Sequence, residues 1–190
     1  MNNSFFEAYQ HRLINCMQTF DWSPVALLAQ KILSIQKEGK HIYLCGNGGS
    51  AANAIHIAND LLYRQANEKS KRMKVTALPA NQAVLTCLAN DTGYENIFSF
   101  QLEQLGSRGD ILIVLSGSGN SPNILKAVDT AKKIGILTCA ILGFNGGKCL
   151  GLVDIPIHFP VNDMQVAEDL QLIVGHMLMQ WFKKETLDVC

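Results

Sequence analysis

No excess of charge of either sign runs through this 190-residue chain: sixteen basic residues balance sixteen acidic ones. Without a global field to draw it to nucleic acid or to an anionic membrane, any anion it holds must be held locally. The six cysteines, Cys16, Cys45, Cys87, Cys139, Cys149 and Cys190, include no CxxC pair and no framework spacing. Several sit inside apolar runs, where a reduced thiol packs as a small hydrophobe, so free thiols and a reducing compartment are expected. The N-terminal stretch MNNSFFEAYQHRLINCM lacks a basic segment followed by a continuous apolar one. No apolar run reaches the roughly 18 residues that a membrane span needs. A soluble, cytoplasmic protein with neither nucleic-acid nor membrane partners is the expectation. Nor does a repeat, a low-complexity tract or a linker divide the chain, whose length suits one sizeable core.

What is present is the composition of a globular domain, 48% hydrophobic and 17% charged. Residues 4–20 and 24–38 carry apolar positions at helical spacing, broken by the Ser23-Pro24 pair that suits a helix start. Beyond them, short apolar runs at 41–45, 73–78, 110–115, 136–142 and 153–158 alternate with helical patterns. The stretch 164–186 reads as one long helix carrying Leu170, Ile173, Val174, Met177, Leu178 and Trp181. Apolar runs linked by crossover helices predict an α/β fold with a parallel sheet covered on both faces. One domain over 1–190 results, with N-terminal helices in 1–38 and an α/β core in 39–190.

In an open parallel sheet, ligands bind at the carboxyl ends of strands, where loops lead into helix N-termini. Two such junctions stand out: Gly46-Asn47-Gly48-Gly49-Ser50 after the first strand and Ser116-Gly117-Ser118-Gly119-Asn120-Ser121 after the third. The second precedes a proline at a first helical position, Pro122. A phosphate there can accept hydrogen bonds from Ser116, Ser118, Ser121 and freed backbone amides, with the helix dipole favouring its charge. The plain alternative is a serine-capped turn. At the first loop the backbone can approach a ligand closely at Gly48 and Gly49, and Asn47 and Ser50 offer polar groups for sugar hydroxyls. GNGGSA lacks the GxGxxG spacing of a dinucleotide fingerprint and the Gly-Lys-Ser/Thr of a Walker loop. Alone it would be a tight turn; two such loops on one sheet point to a site.

The segments GNGGSAANAIHIANDL, LANDTGYENIF, GDILIVLSGSGNSPNILKA and GFNGGKCLGLVDIPIHFP, in that order, resemble the landmarks of the phosphoheptose isomerases. The GNGGSA and SGSGNSPN loops mark the SIS sugar-phosphate fold; Asn90-Asp91 and Gly146-Gly147-Lys148 narrow it to the phosphoheptose branch. The resemblance implies a three-layer α/β/α sandwich around a five-stranded parallel sheet of flavodoxin-like type. It also implies a homotetramer with active sites at subunit interfaces and, in many members, zinc. The implied reaction converts sedoheptulose 7-phosphate into D-glycero-D-manno-heptose 7-phosphate, which would feed lipopolysaccharide or another bacterial surface glycan.

Moving a carbonyl between C1 and C2 of a sugar needs a base and an acid flanking an enediol. His56 and Asp60, at i and i+4, share one helix face. The resemblance sets Asp60 where the family has its proposed base, a glutamate, and His176 on the family's catalytic histidine. It sets Glu168 where the family has a glutamine. Either Glu168 shares the acid–base work, or it joins His56, Asp60 and His176 as a zinc ligand. Eight residues of helix put Glu168 and His176 about 12 Å apart in rise, a long reach for one ion. Asp91, with Asn90, and Arg64 match family positions near the substrate; an Asx turn beside Gly93 and an exposed helix-end arginine are the plain alternatives. Gly117 stands where the family has threonine, and Gln165 where it has an aspartate before the last helix. Two other functions fit the loops: a non-catalytic SIS tetramer that binds a replication initiator or another protein, and an isomerase of a different sugar phosphate. Four ionisable or ligand-capable groups favour catalysis over the first.

Overall fold

A computed structural model describes residues 3–63 and 72–187. Two helices, α1 (Ser4–Thr19) and α2 (Ser23–Glu38), precede β1 (His41–Gly46), α3 (Gly49–Tyr63) and β2 (Lys74–Ala77). Then come α4 (Gln82–Thr92), α5 (Ser99–Leu105), β3 (Ile111–Ser116), α6 (Pro122–Ile134), β4 (Leu137–Leu142), β5 (Ile155–His158) and α7 (Met164–Leu187). The strands pair in the order β2-β1-β3-β4-β5, all parallel. All five apolar runs become strands, and the predicted helices at both ends of the chain form within two residues of their expected limits.

The continuous apolar runs follow from burial on both sheet faces, because successive side chains of a strand point to opposite faces. Ile42 and Leu44 of β1 and Ile111, Ile113 and Leu115 of β3 join Ile32 of α2, Ile57 of α3 and Val174 and Phe182 of α7 in one core layer. Tyr43, Cys45, Leu112 and Val114 face the other way, onto Leu88, Leu102, Ile124 and Val128 of α4, α5 and α6. The sheet is thus sandwiched, three helices to a side, and α1 lies outside that sandwich. Helix α1 has no buried residue; Tyr9, Leu13, Cys16 and Met17 rest on the first layer. It is tied to α7 by a Tyr9 hydroxyl donating to Asp169 at 2.5 Å and by an Arg12–Asp163 pair at 3.2 Å.

After β1 the chain adds β2 on one side and then returns to place β3 on the other. That reversal is the switch point at which doubly wound sheets open a crevice beyond their strand ends. The glycine loop after β1 and the serine loop after β3 both issue there, from paired strands that end within one residue of each other, Gly46 lying against Leu115.

Candidate active site

Helix α3 leaves the glycine loop and carries His56 and Asp60 one turn apart, with His56 Nε2 3.5 Å from Asp60 Oδ2. Helix α7 packs on α3, and Gly175 lies directly against Ile57. A Cβ there would fall 2.5 Å from Ile57 Cγ1, so only a residue without one lets the helices meet this closely. That approach brings in His176, whose Nε2 lies 3.0 Å from His56 Nε2 and 3.8 Å from Asp60 Oδ2. One donor atom from each of the three residues lies within 4.8 Å of the other two. The imidazoles remain about half exposed, 48% and 47%, against 27% for Asp60, so the group opens to solvent and to a ligand.

Glu168 does not join them. Its carboxylate lies against Gly49, where a Cβ would come 2.3 Å from Oε2, and Ser50 Oγ donates to its Oε1 at 3.5 Å. Asn53 Nδ2 donates to the Glu168 carbonyl at 2.9 Å and to Gln171 Oε1 at 3.2 Å. A carboxylate at the first turn of α3 is favoured by the helix dipole. The four-residue metal set expected from the sequence is therefore three residues in this structure, with Glu168 two turns of α7 away beside the glycine loop.

The serine loop is pre-shaped by its own bonds. Ser116 Oγ accepts from Gly119 N at 3.1 Å and Ser118 Oγ from Asn120 N at 3.3 Å. Gly119 takes φ +64°, and a Cβ there would overlap the Gly146 carbonyl, so the loop interlocks with the 146–148 segment. The Lys148 amide completes the contact by donating to Asn120 Oδ1 at 3.0 Å. Ser121 is the extended residue before α6 and makes no capping bond with its side chain, and Pro122 follows it at the helix start. A cavity of about 430 Å³ adjoins the loop, lined in part by Ser118, Asn120 and Phe144. Gly117, the expected threonine position, has Met164 Sδ 2.6 Å from where its Cβ would be; the space a side chain would use is filled from α7.

The remaining expected residues are dispersed. Asn90 and Asp91 lie in the last turn of α4, so Asp91 forms no Asx turn. Its carboxylate accepts from Asn90 Nδ2 at 2.7 Å and from the Cys87 thiol at 3.4 Å. Arg64 lies outside the described residues. Gln165 lies in the first turn of α7, where its backbone N–H and that of Val166 donate to Asp163 Oδ1, which caps the helix.

Sequence reading missed three partners. Asn53, one turn before His56 on the same side of α3, carries the bond to α7, and its i,i+3 spacing from His56 was the available signal. Asn123 and Tyr94 both bond to Asn47; both lie inside the quoted motifs, but nothing in spacing singles them out.

The chain resembles known proteins over nearly all of this architecture. The family model for the SIS domain matches residues 4–143, which ends before α7. Full-length relatives extend across it. The phosphoheptose isomerase of Helicobacter pylori strain HPAG1 is 40% identical over 173 residues, 91% of this chain and 89% of that one. The phosphoheptose isomerase of Aliarcobacter butzleri strain RM4018 is 35% identical over 180 residues, 95% and 94% of the two chains. Among solved structures, the phosphoheptose isomerase GmhA of Neisseria gonorrhoeae superposes with a TM-score of 0.87 at 26% identity, covering 96% of this chain and 98% of that one. With its two loops at one switch point and its fold shared end to end with these relatives, the chain belongs to the phosphoheptose isomerases of the SIS-domain family.

Proposed function

We propose that the chain interconverts sedoheptulose 7-phosphate and D-glycero-D-manno-heptose 7-phosphate through an enediol, at a reaction centre made by His56, Asp60 and His176. The observation that carries this reading is the meeting of those three side chains across α3 and α7, on the helix that leaves the glycine loop, in a chain of this family. The donor set also fits a divalent metal: two imidazoles and a carboxylate with an open side match the three-ligand pattern of catalytic zinc sites. Zinc held by His56, Asp60 and His176 would polarise the substrate carbonyl.

The chain's own groups divide the remaining work. Asp60 turns Oδ2 toward both imidazoles, which leaves Oδ1 to take the C1 proton of the ketose and return it to C2, while the proton of the C1 hydroxyl passes to the C2 oxygen across the cis-enediol. Ser116, Ser118, Ser121 and the N-terminus of α6 hold the phosphate. Asn47, Gly48, Gly49 and Ser50 hold sugar hydroxyls, with Glu168 beside them, and Asn90, Asp91 and Arg64 complete the binding face. The assembly is a homotetramer with sites at subunit interfaces; Phe5 and Phe6, 70% and 66% exposed on α1, and exposed Ile55 and Met177 beside the histidines support it. A cytoplasmic location suits the free thiols of Cys16, Cys45, Cys87, Cys139 and Cys149. No helix among the described residues is long and apolar enough to cross a membrane.

A different sugar phosphate is the second reading, favoured by Met164 filling the space beside Gly117 in the serine loop. The deciding experiment follows sedoheptulose 7-phosphate by NMR with purified protein, chelated and then resupplied with zinc. Turnover that is lost on chelation and restored by zinc supports both parts. Product formed without metal removes zinc, and no product in either state removes this substrate.

A further inference from the structure

The glycine loop and the serine loop are joined by one side-chain pair. Asn47 lies between β1 and α3; Asn123, 1% exposed, is the second residue of α6. Their amides exchange reciprocal hydrogen bonds, Asn47 Nδ2 donating to Asn123 Oδ1 at 2.9 Å and Asn123 Nδ2 donating to Asn47 Oδ1 at 2.8 Å. Tyr94, whose ring is largely exposed, donates its hydroxyl to Asn47 Oδ1 at 3.0 Å. An amide oxygen has two lone pairs and an amide nitrogen two hydrogens. Both acceptor sites of Asn47 are filled by these partners, one of its hydrogens is used, and one N–H remains.

We propose that Asn123 and Tyr94 are positioning residues that orient the Asn47 amide and clamp the sugar loop to the phosphate loop, so that Asn47 offers the substrate a single N–H donor. This deepens the isomerase reading and rests on it. Asn47 then recognises an oxygen that accepts, a carbonyl or hydroxyl oxygen of the open-chain sugar, and cannot serve a hydroxyl that needs an acceptor. The clamp also fixes the distance between the two ends of the ligand, because each loop leaves the end of one of two adjacent, in-register strands. A small error in that distance is felt in the reaction more than in the fold. Asn123 is buried, so removing it leaves Asn47 groups unpaired as well as unheld.

The test uses the full chain with Tyr94→Phe, which deletes only an exposed hydroxyl, and Asn123→Ala. Tyr94→Phe is expected to lower kcat/KM for sedoheptulose 7-phosphate by about 3- to 10-fold, and Asn123→Ala by about 10- to 100-fold, from loss of one and of two hydrogen bonds. Melting temperature and inhibition by inorganic phosphate should stay at the parent values in Tyr94→Phe. The Asn47 side-chain amide proton that bonds to Asn123, seen by 15N NMR, should exchange slowly in the parent and faster in both variants. Variant kinetics within twofold of the parent would overturn the positioning role, and fast exchange in the parent would overturn the clamp. Absence of turnover by the parent counts against the isomerase reading alone; the positioning role is then decided by calorimetric affinity for the same sugar phosphate, which must fall in Tyr94→Phe.

Discussion

Replacing Gly175 by alanine would place a methyl carbon 2.5 Å from Ile57 Cγ1 and 2.8 Å from Ile57 Cδ1. Carbon atoms in favourable contact sit about 3.5–4.0 Å apart, so α7 must retreat from α3 by about 1 Å, or Ile57, 4% exposed in the core, must leave its rotamer. Overpacking of this kind costs about 1–3 kcal/mol, which for a domain of this size lowers the melting temperature by about 2–4 °C per kcal/mol. The kinetic cost should lie near the upper end of that energy range. His176 is the next residue and moves with the helix, opening the 3.0 Å His56–His176 contact; a misplacement near 1 Å at a reaction centre costs about 10²-fold. The assay is kcat/KM and zinc content per folded chain, beside a thermal melt. Adding Ile57→Ala makes room, since the next atom facing the new methyl is Ile57 Cβ at 3.6 Å, an ordinary contact. The double variant should therefore recover turnover, though Ile57→Ala alone destabilises by about 2–5 kcal/mol. Gly175→Ala with kcat/KM within twofold of the parent, or a double variant no better than the single one, would refute the view that this crossing sets the histidine geometry.

Glu168→Gln should raise KM by about 3- to 10-fold with little change in kcat, because the carboxylate stands on the glycine loop rather than in the histidine group; a fall in kcat of about 10²-fold or more would put Glu168 in the proton transfer. Ser118→Ala with Ser121→Ala should raise KM for a phosphorylated substrate by about 10- to 100-fold, at about 1.5–3 kcal/mol for bonds to a charged group; unchanged affinity would remove the serine loop as phosphate site. Burial holds the His41 imidazole below its usual pKa, against the pull of Asp110 and with help from Lys74. A depressed folded value means the unfolded chain takes the proton more readily, so this contribution is present above about pH 6.5 and is lost as pH falls through the folded value. Melting temperature should drop between pH 7 and pH 5 less steeply in His41→Gln than in the parent, and equal slopes would refute the assignment.

Strand positions were legible because both faces of this sheet are buried, which turns each strand into an unbroken apolar run such as Ile111–Leu115. Helix starts were legible where chemistry marks them, as at Ser121-Pro122. The two loops were legible because β1 and β3 each end in a run of small residues. Contacts over a long separation were not. Nothing local says that Asn47 will meet Asn123, 76 residues on, or that Gly175 will lie against Ile57. The Asx turn considered at Asp91 failed because α4 runs on to Thr92, and in a helix the carboxylate reaches back one turn to Cys87.

The place of Glu168 follows from the register of α3 and α7. Ser50 meets Glu168 and Asn53 meets Gln171, each across a separation of 118 residues, and Ile57 meets Gly175 at the same offset. A constant offset means that the two helices run parallel, turn facing turn, from the glycine loop outward. Ser50 and Glu168 form the first rung, Asn53 and Gln171 the second, Ile57 and Gly175 the third, and the histidines flank that third rung. Eight residues of α7 rise about 12 Å, so Glu168 lies at the end of the helix pair that faces the glycine loop, and His176 at the end that holds Asp60. Antiparallel helices would have carried Glu168 away from the glycine loop altogether. In this register the Glu168 carboxylate stands two turns of α7 from the histidine group, too far to stand in for a longer side chain at Asp60.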